Sequence, residues 1–318
     1  MQITGPDDLR ETVRGSDLEN VQLKPGKLRG SIAHFGIADL GISIGRYDSG
    51  IRATGVLPPE RVVLGTILDC AGRVTHWWKD VRPSDVCVFP SGVEIDAIHC
   101  GGAAYLTASI GLPKLLSKLG GENRLADPAF WNTKSVYNTD SLIGGEMLQR
   151  LIGIISGIEH RFTAPSDQAA DFLQRSIVES FVLALMSASA PASARSYIGA
   201  RTGARLVSET EDYIDASDGR PVHISELCGA LKVSRRSLHR AFADTLGIGP
   251  VAYLRRRRLS AIRSILSRCD TATISIGDLA FEYGFPETGR FAAYYRAHFG
   301  ETPSETLRLK SVSAPSIR

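Results

Sequence analysis

Basic side chains are concentrated in one short segment near residue 240, within a helical pattern of apolar residues. Positions four apart lie on one face of a helix, so Leu238 and Phe242 would face inward. Four side chains would then point outward: Arg235, Arg236, His239 and Arg240. A guanidinium group can bind guanine with two hydrogen bonds, and a helix amino terminus can bind phosphate. The segment could therefore read nucleic acid, although for a lone helix a solvated basic face would be the better interpretation.

An internal repeat favours the nucleic-acid interpretation. The apolar pattern of residues 224–233 recurs 52 residues later in 276–285, and that of 238–250 recurs 53 residues later in 291–303. Each copy has the pattern of two short helices that meet at a tight turn. Ser234 suits the N-cap of the second helix in the first copy. The repeat predicts two helix-turn-helix units.

A long helix is predicted between the two copies, over residues 250–266. Such a rigid connection would let the two units enter successive major grooves, about 34 Å apart. Gly284 supplies a left-handed residue at the turn of the second unit, whereas Lys232 stands at the matching turn of the first. Of the four consecutive arginines at 255–258, we expect one or two to reach phosphate and the others to make ion pairs or stay in solvent.

The carboxy-terminal third resembles the AraC/XylS family of transcriptional regulators. Its signature occurs as SRRSLHRAF at 234–242, GIGPVAYLRRRRL at 247–259, IGDLAFEYGF at 276–285 and GRFAAYYRAHFGETPSETLR at 289–308. The resemblance implies sequence-specific binding to double-stranded promoter DNA, most often as an activator. It also implies base-reading positions in both recognition helices: Arg236, His239 and Arg240 in the first, and Thr288, Gly289, Ala292 and Ala293 in the second.

The second recognition helix departs from the commoner polar pattern of the family. Glycine and alanine side chains offer no hydrogen bonds to base edges, so we expect this helix to bind mostly to phosphate. The residues expected to make those contacts are Glu287, Thr288, Arg290 and Arg296. We therefore predict that the two helix-turn-helix units are unequal in sequence preference.

The amino-terminal part has the spacing of short strands followed by helices. Strands are predicted at Ile42–Ile44, Val62–Leu68, Val86–Phe89 and Tyr105–Ile110, and helices at Leu112–Leu119, Leu142–Ile158 and Gln168–Met186. In the last helix an apolar stripe either covers the strands or forms a dimer interface: Leu173, Ile177, Phe181 and Leu185. The family resemblance implies a cupin-like β-barrel sensor domain here, which makes the predicted fold class α+β with an all-α carboxy-terminal domain.

Length and charge agree with two domains in the 318-residue chain, since single cores rarely grow beyond about 250 residues. The net charge is +3, and residues 201–318 carry 18 Lys+Arg against 13 Asp+Glu. We predict a sensing and dimerisation domain over 1–190, a linker over 191–205 and a DNA-binding domain over 206–310. The five scattered cysteines, and the lack of a signal peptide or long apolar run, favour a cytoplasmic protein with no membrane contact.

Catalytic and metal-binding motifs are missing from the sequence. There is no Gly-x-Ser-x-Gly turn, P-loop or Gly-x-Gly-x-x-Gly turn, which argues against an enzyme. His34, His76 and His99 stand alone rather than in the paired arrangement of the cupin metal signature, so we expect a binding cavity without a metal or a cofactor.

The effector is left open by the sequence. Arg10 and Arg14, followed by Asp39 and Ser43, are similar to the Arg-x-x-x-Arg and Asp/Asn-x-Ser-x-x-Gly pair with which PilZ domains bind cyclic dinucleotides such as cyclic di-GMP. Two extra residues separate Asp39 from Ser43, so the match is partial. Another small molecule in the barrel is the main hypothesis. The remaining alternative is an effector-independent architectural protein with an oligomerisation module. As a regulator, the chain is expected to form a homodimer and to contact RNA polymerase.

Overall fold

The computed structural model describes residues 1–119, 124–159, 165–188, 198–217, 220–268 and 274–313. In these residues a β-rich part precedes an all-helical part. The strands are Gln2–Ile3 (β1), Asp17–Gln22 (β2), Gly30–Ile37 (β3), Leu40–Tyr47 (β4), Ile51–Val56 (β5), Arg61–Cys70 (β6), Val74–His76 (β7), Lys79–Val81 (β8), Val86–Phe89 (β9), Glu94–His99 (β10), Ala103–Gly111 (β11) and Ser135–Tyr137 (β12).

The helices follow mainly after the last long strand. They are Leu112–Lys118 (α1), Pro128–Trp131 (α2), Ser141–Glu159 (α3), Asp167–Ser187 (α4), Ile198–Asp215 (α5), Ile224–Ala230 (α6), Arg235–Leu246 (α7), Pro250–Leu266 (α8), Ile276–Glu282 (α9), Thr288–Phe299 (α10) and Pro303–Ser313 (α11). Two short 3₁₀ turns occupy Pro6–Leu9 and Arg124–Ala126. All four predicted strands and all three predicted amino-terminal helices are confirmed.

The strands form two antiparallel sheets rather than a closed barrel. One sheet has the order β1-β3-β4-β11-β6-β9-β12 and the other has the order β2-β5-β10-β7-β8. The cupin-like barrel expected above is therefore not confirmed. Among the described residues, no ladder joins an edge strand of one sheet to an edge strand of the other. Periodicity predicts that a segment is a strand, but closure depends on pairing between edges that are distant in sequence.

Two apolar cores cover the two faces of the seven-stranded sheet. Between the sheets, side chains from both inner faces form one core, which includes Ile67 and Ile95. On the outer face, α3 and α4 pack on the strands, and Ile177, Phe181 and Leu185 are almost completely buried there. The predicted apolar stripe thus covers the sheet, which leaves it unavailable as a dimer interface.

The helical part contains the predicted repeat as two units, which pack in two separate apolar cores. Helices α6 and α7 form the first unit, α9 and α10 form the second, and α8 connects them. The predicted left-handed residue at the second turn is confirmed, because Gly284 has a φ of 76°. Lys232 also adopts a positive φ, of 53°, in a region that residues other than glycine rarely occupy. The first unit thus makes the same turn with a strained lysine.

The boundary between the two parts lies near α5. This helix begins at Ile198 and contains the second half of the predicted linker, while 191–197 lies outside the described residues. The division into 1–190, 191–205 and 206–310 stays a prediction. None of the described helices is long and apolar enough to cross a membrane.

Candidate DNA-binding surface and effector cavity

Helix α7 presents its basic side chains to solvent. Ser234 caps the helix by accepting a hydrogen bond from the N–H of Ser237 at 3.0 Å, as predicted from the sequence. Leu238 and Phe242 are fully buried against neighbouring helices. The four predicted contact residues are exposed: Arg235, Arg236, His239 and Arg240. The helix amino terminus and its guanidinium groups are therefore accessible to a ligand.

The four residues differ in how free their side chains are. The Arg240 side chain is 84% exposed and lies 3.5 Å from the carboxylate of Asp244, one turn along the helix. His239 lies over the turn into α8, where a Cβ atom on Gly249 would be 2.9 Å from its Nε2. Exposed ion pairs within a helix are weak, so Arg240 can exchange Asp244 for another acceptor.

Helix α10, like α7, buries one face and exposes the other, but its exposed face presents little polar bulk. Phe291 and Tyr295 are fully buried, while Thr288, Gly289 and Arg290 are exposed. Glu287 and Arg296 are also exposed, and Glu287 pairs with Arg290 at 3.3 Å. A Cβ atom on Gly289 would meet nothing within 4 Å, so the tip of this helix is open.

Two of the four consecutive arginines on α8 bind the amino-terminal part. Arg257, which is 9% exposed, pairs with Asp215 and, at 3.4 Å, with Glu19 of β2. Arg256 donates a hydrogen bond to the carbonyl oxygen of Leu23. The expected ion pair is thus found for Arg257, and both side chains connect α8 to the β-rich part.

The other two arginines of this run bind the second helix-turn-helix unit. The guanidinium of Arg255 lies 4.5 Å from the ring centroid of Tyr294 on α10. Arg258 donates to the carbonyl oxygens of Tyr283 and Gly284 at 3.3 and 3.2 Å. Through these contacts α8 fixes the second unit relative to the first. The expected phosphate contacts of this run stay a prediction.

A small cavity lies between the two sheets. Its volume is about 80 Å³, and its walls come from both inner faces. Polar groups in the wall include Asn20, Tyr47, Thr66, His76 and His99. Among the described residues, no Asp, Glu, Lys or Arg lines it. The cavity is therefore apolar with a few polar groups, which is the usual composition of a small-molecule site.

Two of the three histidines that stand alone in the sequence, His76 and His99, meet at this cavity. Their ring centroids are 5.7 Å apart, and His99 is hydrogen-bonded through Nδ1 to the hydroxyl of Tyr47. Burial lowers the pKa of His76 to about 4 and that of His99 to about 3, so both rings are neutral at pH 7. In the described part of the chain, no group of three or more His, Cys, Asp or Glu side chains is arranged to hold a metal ion.

The four residues of the proposed cyclic-dinucleotide motif are partly brought together. The buried Ser43 hydroxyl accepts a hydrogen bond from the backbone N–H of Arg14 at 3.1 Å and bonds His34 at 2.9 Å. Arg10 forms an ion pair with Asp17 at 2.6 Å. The carboxylate of Asp39 pairs instead with Lys114 at 3.2 Å. Arg14 and Ser43 are thus adjacent, while Arg10 and Asp39 each have another partner.

The five-stranded sheet separates the cavity from the helical part. Alternate residues of a strand face opposite sides, and Asn20, Ala53 and Ala97 line the cavity. From the other side of the same sheet, Val21 and Ile98 pack in one core with α5, α6, α7 and α8. One sheet therefore contacts both the candidate effector site and the first helix-turn-helix unit.

Arg52 of β5 is the main polar contact across this interface. Its side chain is 2% exposed and donates to both carboxylate oxygens of Glu211 on α5, at 3.0 and 2.6 Å. It also pairs with Asp96 of β10 at 2.7 Å. Glu211 accepts a further hydrogen bond from the hydroxyl of Tyr253 on α8. The sequence does not predict this network, because no local pattern distinguishes a buried arginine from an exposed one.

A second buried arginine connects α8 to the start of the chain. Arg263 is 4% exposed and binds Asp7 of the first 3₁₀ turn and, at 3.0 Å, Glu301. A Cβ atom on Gly5 would lie 2.1 Å from this guanidinium, so a side chain at that position would have to displace the guanidinium of Arg263. Ion pairs in the middle of α8 and near its carboxy-terminal end thus hold this helix against the β-rich part.

Comparison with known proteins gives matches to DNA-binding domains and transcriptional regulators. Residues 227–309 match a family described as a helix-turn-helix domain. XylDLEGF operon transcriptional activator 2 of Pseudomonas putida is 39% identical over 106 residues, which are 33% of this chain and 68% of that protein. The probable thc operon regulatory protein of Rhodococcus erythropolis is 27% identical over 197 residues, which are 61% of this chain and 57% of that protein.

One solved structure is similar to a third of this chain. It is a probable AraC family transcriptional regulator from Rhodopseudomonas palustris, with 35% sequence identity and a TM-score of 0.31. The match covers 33% of this chain and 97% of that one.

Proposed function

This chain belongs to the AraC/XylS family of transcriptional regulators, and we propose that it binds promoter DNA through both helix-turn-helix units under the control of a small molecule held between its two sheets. It is a DNA-binding regulator and not an enzyme. The observation that carries the proposal is the exposed basic face of α7, which is opposite the buried Leu238 and Phe242.

The two recognition helices are proposed to have different tasks. Arg236, His239 and Arg240 of α7 reach base edges, where a bidentate arginine selects guanine, and Arg235 is exposed beside them on the same helix. In α10 the exposed polar residues bind phosphate. They are Glu287, through its backbone, together with Thr288, Arg290 and Arg296. The first unit would then supply most of the sequence preference and the second most of the additional affinity.

The partners follow from the named relatives and from the exposed helix surface. The similar proteins of Pseudomonas putida are named transcriptional activators, which supports activation and a contact with RNA polymerase. A homodimer is supported by apolar side chains that α4 leaves exposed: Phe172, Leu183 and Met186. This face is distinct from the buried stripe of the same helix.

Control by an effector is supported by the arrangement of the five-stranded sheet. Ala53 is next to Arg52 on β5, and Asn20 and Ala97 lie on the neighbouring strands β2 and β10. A molecule that pushes these cavity residues apart must therefore move the strand that carries Arg52. Arg52 is bound to Glu211 of α5, so the displacement is passed to the helices around α7. A ligand changes DNA affinity only if it binds the two arrangements unequally.

A cyclic dinucleotide such as cyclic di-GMP is the second effector hypothesis. The observation in its favour is the contact between Arg14 and Ser43, which joins the two halves of the motif. Binding would require Arg10 to leave Asp17 and Asp39 to leave Lys114. Both pairs are solvent-exposed and therefore weak.

The test is DNA affinity measured with and without a small-molecule extract of cells. We expect the extract to change the DNA affinity of the wild type. The DNA affinity of the Ala97→Leu variant should not change, because the larger side chain fills the cavity. Purified cyclic di-GMP is added in a separate arm, with Arg14→Ala as its control. If neither addition changes affinity, the effector-independent architectural alternative is correct.

A further inference from the structure

The cavity between the sheets contains buried polar atoms that the protein leaves without partners. These atoms are Oδ1 of Asn20, Oγ1 of Thr66 and Nδ1 of His76, and among the described residues none has a hydrogen-bond partner. Each residue is at most 8% exposed and lines the cavity. A buried polar atom without a partner is destabilising, so native proteins rarely keep several together.

The type of each free atom restricts the ligand. The amide nitrogen of Asn20 already donates to the carbonyl oxygen of Leu18 at 3.3 Å, which leaves Oδ1 as an acceptor. The ligand must therefore donate a hydrogen bond to Asn20. Thr66 can donate or accept, so a ligand group that does both has the hydrogen-bonding chemistry that the two residues need. A hydroxyl group has this property, whereas a carboxylate only accepts and an ammonium only donates.

The charge of the ligand is restricted by the wall. No charged side chain of the described chain faces the cavity, and the two histidines are neutral because burial lowers the pKa of each well below 7. An ion in this place would lose its hydration without gaining a counter-charge, which is strongly unfavourable. Phosphates, carboxylates and ammonium ions are thereby disfavoured.

The size of the cavity sets an upper limit on the ligand. Its volume of about 80 Å³ is roughly half that of an engineered cavity that binds benzene. This space suits a molecule with about four or five non-hydrogen atoms. Apolar wall residues such as Ile51, Ile67 and Phe89 would contact its carbon skeleton.

We propose that the effector cavity takes a short-chain neutral alcohol or diol, whose hydroxyl group donates to Asn20 and exchanges a hydrogen bond with Thr66 beside His76. This inference rests on the proposed function, since it assumes that the cavity is the effector site. It specifies the ligand class: small, uncharged and hydroxyl-bearing.

Three probes with the same carbon skeleton test the ligand class on the full-length protein: propan-1-ol, propanoate and propylammonium. The readout is the ¹⁵N spectrum of the histidine rings, in which His76 and His99 report the cavity directly. A molecule of four non-hydrogen atoms cannot bind more tightly than about 40 µM, so we expect a Kd between about 0.1 and 10 mM for propan-1-ol. Propanoate and propylammonium should leave both ring signals unchanged at 50-fold higher concentration.

Two conservative variants assign the binding to this cavity. Thr66→Val keeps the side-chain shape and removes the hydroxyl, so it should weaken propan-1-ol binding about fivefold. Thr75→Val is the matched control, because Thr75 is also buried with a free hydroxyl and lies on strand β7 beside His76, but does not line the cavity. It should bind propan-1-ol as the wild type does.

Each other result overturns the ligand class. Equal binding of propanoate or propylammonium would show that charge is tolerated, while the cavity would still be an effector site. The absence of any shift with propan-1-ol up to 100 mM would show that only water fits. The proposed function has its own readout, the response of DNA affinity to cell extract in the wild type and in Ala97→Leu, so the two can fail separately.

Discussion

Arg52 connects the two parts of the chain, and its replacement by methionine has a large predicted effect on stability. The guanidinium makes two hydrogen bonds to Glu211, whose side chain is 7% exposed, and one to Asp96, whose side chain is 21% exposed. Removing one partner of a buried ion pair destabilises a protein by about 3–5 kcal/mol, because the other charge is left without compensation. We expect Arg52→Met to lower the free energy of unfolding by that amount.

The double variant Arg52→Met with Glu211→Leu distinguishes this cause from a simple loss of packing. Leucine removes the uncompensated carboxylate of Glu211. The remaining losses are the hydrogen bond that Glu211 accepts from Tyr253, worth about 1 kcal/mol, and the ion pair between Arg52 and Asp96. The double variant should therefore be more stable than Arg52→Met alone by about 1–3 kcal/mol. Such a recovery is the signature of a buried charge that needs its partner.

Urea unfolding followed by tryptophan fluorescence measures both effects, since the ring of Trp78 lies 5.2 Å from the Arg52 guanidinium carbon. The matched control is Arg205→Met. Arg205 pairs with Glu209 on the same helix α5, but its side chain is 80% exposed, so the change should be at most about 0.5 kcal/mol. If Arg52→Met is no more destabilising than this control, the proposed connection through Arg52 is wrong. Arg52→Met should also lose any response of DNA affinity to cell extract, whereas the control Arg205→Met should keep the wild-type response.

Three further predictions concern the turn, the histidines and the recognition helices. Lys232→Gly should stabilise the chain by about 0.5–1 kcal/mol in urea unfolding, because glycine adopts a φ of 53° without strain, and a lower stability would contradict this reading of the turn. Burial holds the pKa of His76 at about 4, below its ordinary value of 6.5, so the unfolded chain binds more protons between these values. The contribution of neutral His76 to the free energy of unfolding should thus be nearly complete above pH 6.5 and should fall by about 2 kcal/mol between pH 7 and 5. The unfolding of His76→Phe should therefore be less sensitive to acid than that of the wild type. Arg236→Ala and Arg240→Ala should each weaken binding to a selected DNA site by about 1–3 kcal/mol and relax the preference at one base pair, whereas wild-type affinity and preference would exclude base contact. Arg290→Ala and Arg296→Ala should weaken binding to all sequences alike and reduce the salt slope by up to about one unit, as measured by titration at several salt concentrations.

The helical part of the fold could be predicted in detail because its information is local. The repeated spacing, the N-cap Ser234 and the turn residue Gly284 each determine a feature within a few residues of themselves. The strands at Val62–Leu68 and Tyr105–Ile110 were found for the same reason. Strands such as β7 and β8, with three residues each, are too short to show alternation.

The relation between the parts could not be predicted, because it depends on contacts between distant residues. Arg257 pairs with Glu19, and Arg263 pairs with Asp7, across more than 230 residues of sequence. In a run of four arginines, nothing local tells which side chain is buried. The cavity is a similar case, since His76 and His99 meet only when β7 pairs with β10. Their isolation in the sequence therefore gave no indication of a shared site.

The proposed function requires that the chain read DNA with two unequal helix-turn-helix units. Selection of bound sequences from random double-stranded DNA by the full-length protein tests this inequality. We predict a two-part site in which the half under α7 carries most of the sequence information, because Arg235, Arg236 and Arg240 are exposed there. The half under α10 should be nearly unspecified, because Gly289 has little with which to read a base. An enriched site with equal information in both halves, or no enriched sequence at all, would contradict the account.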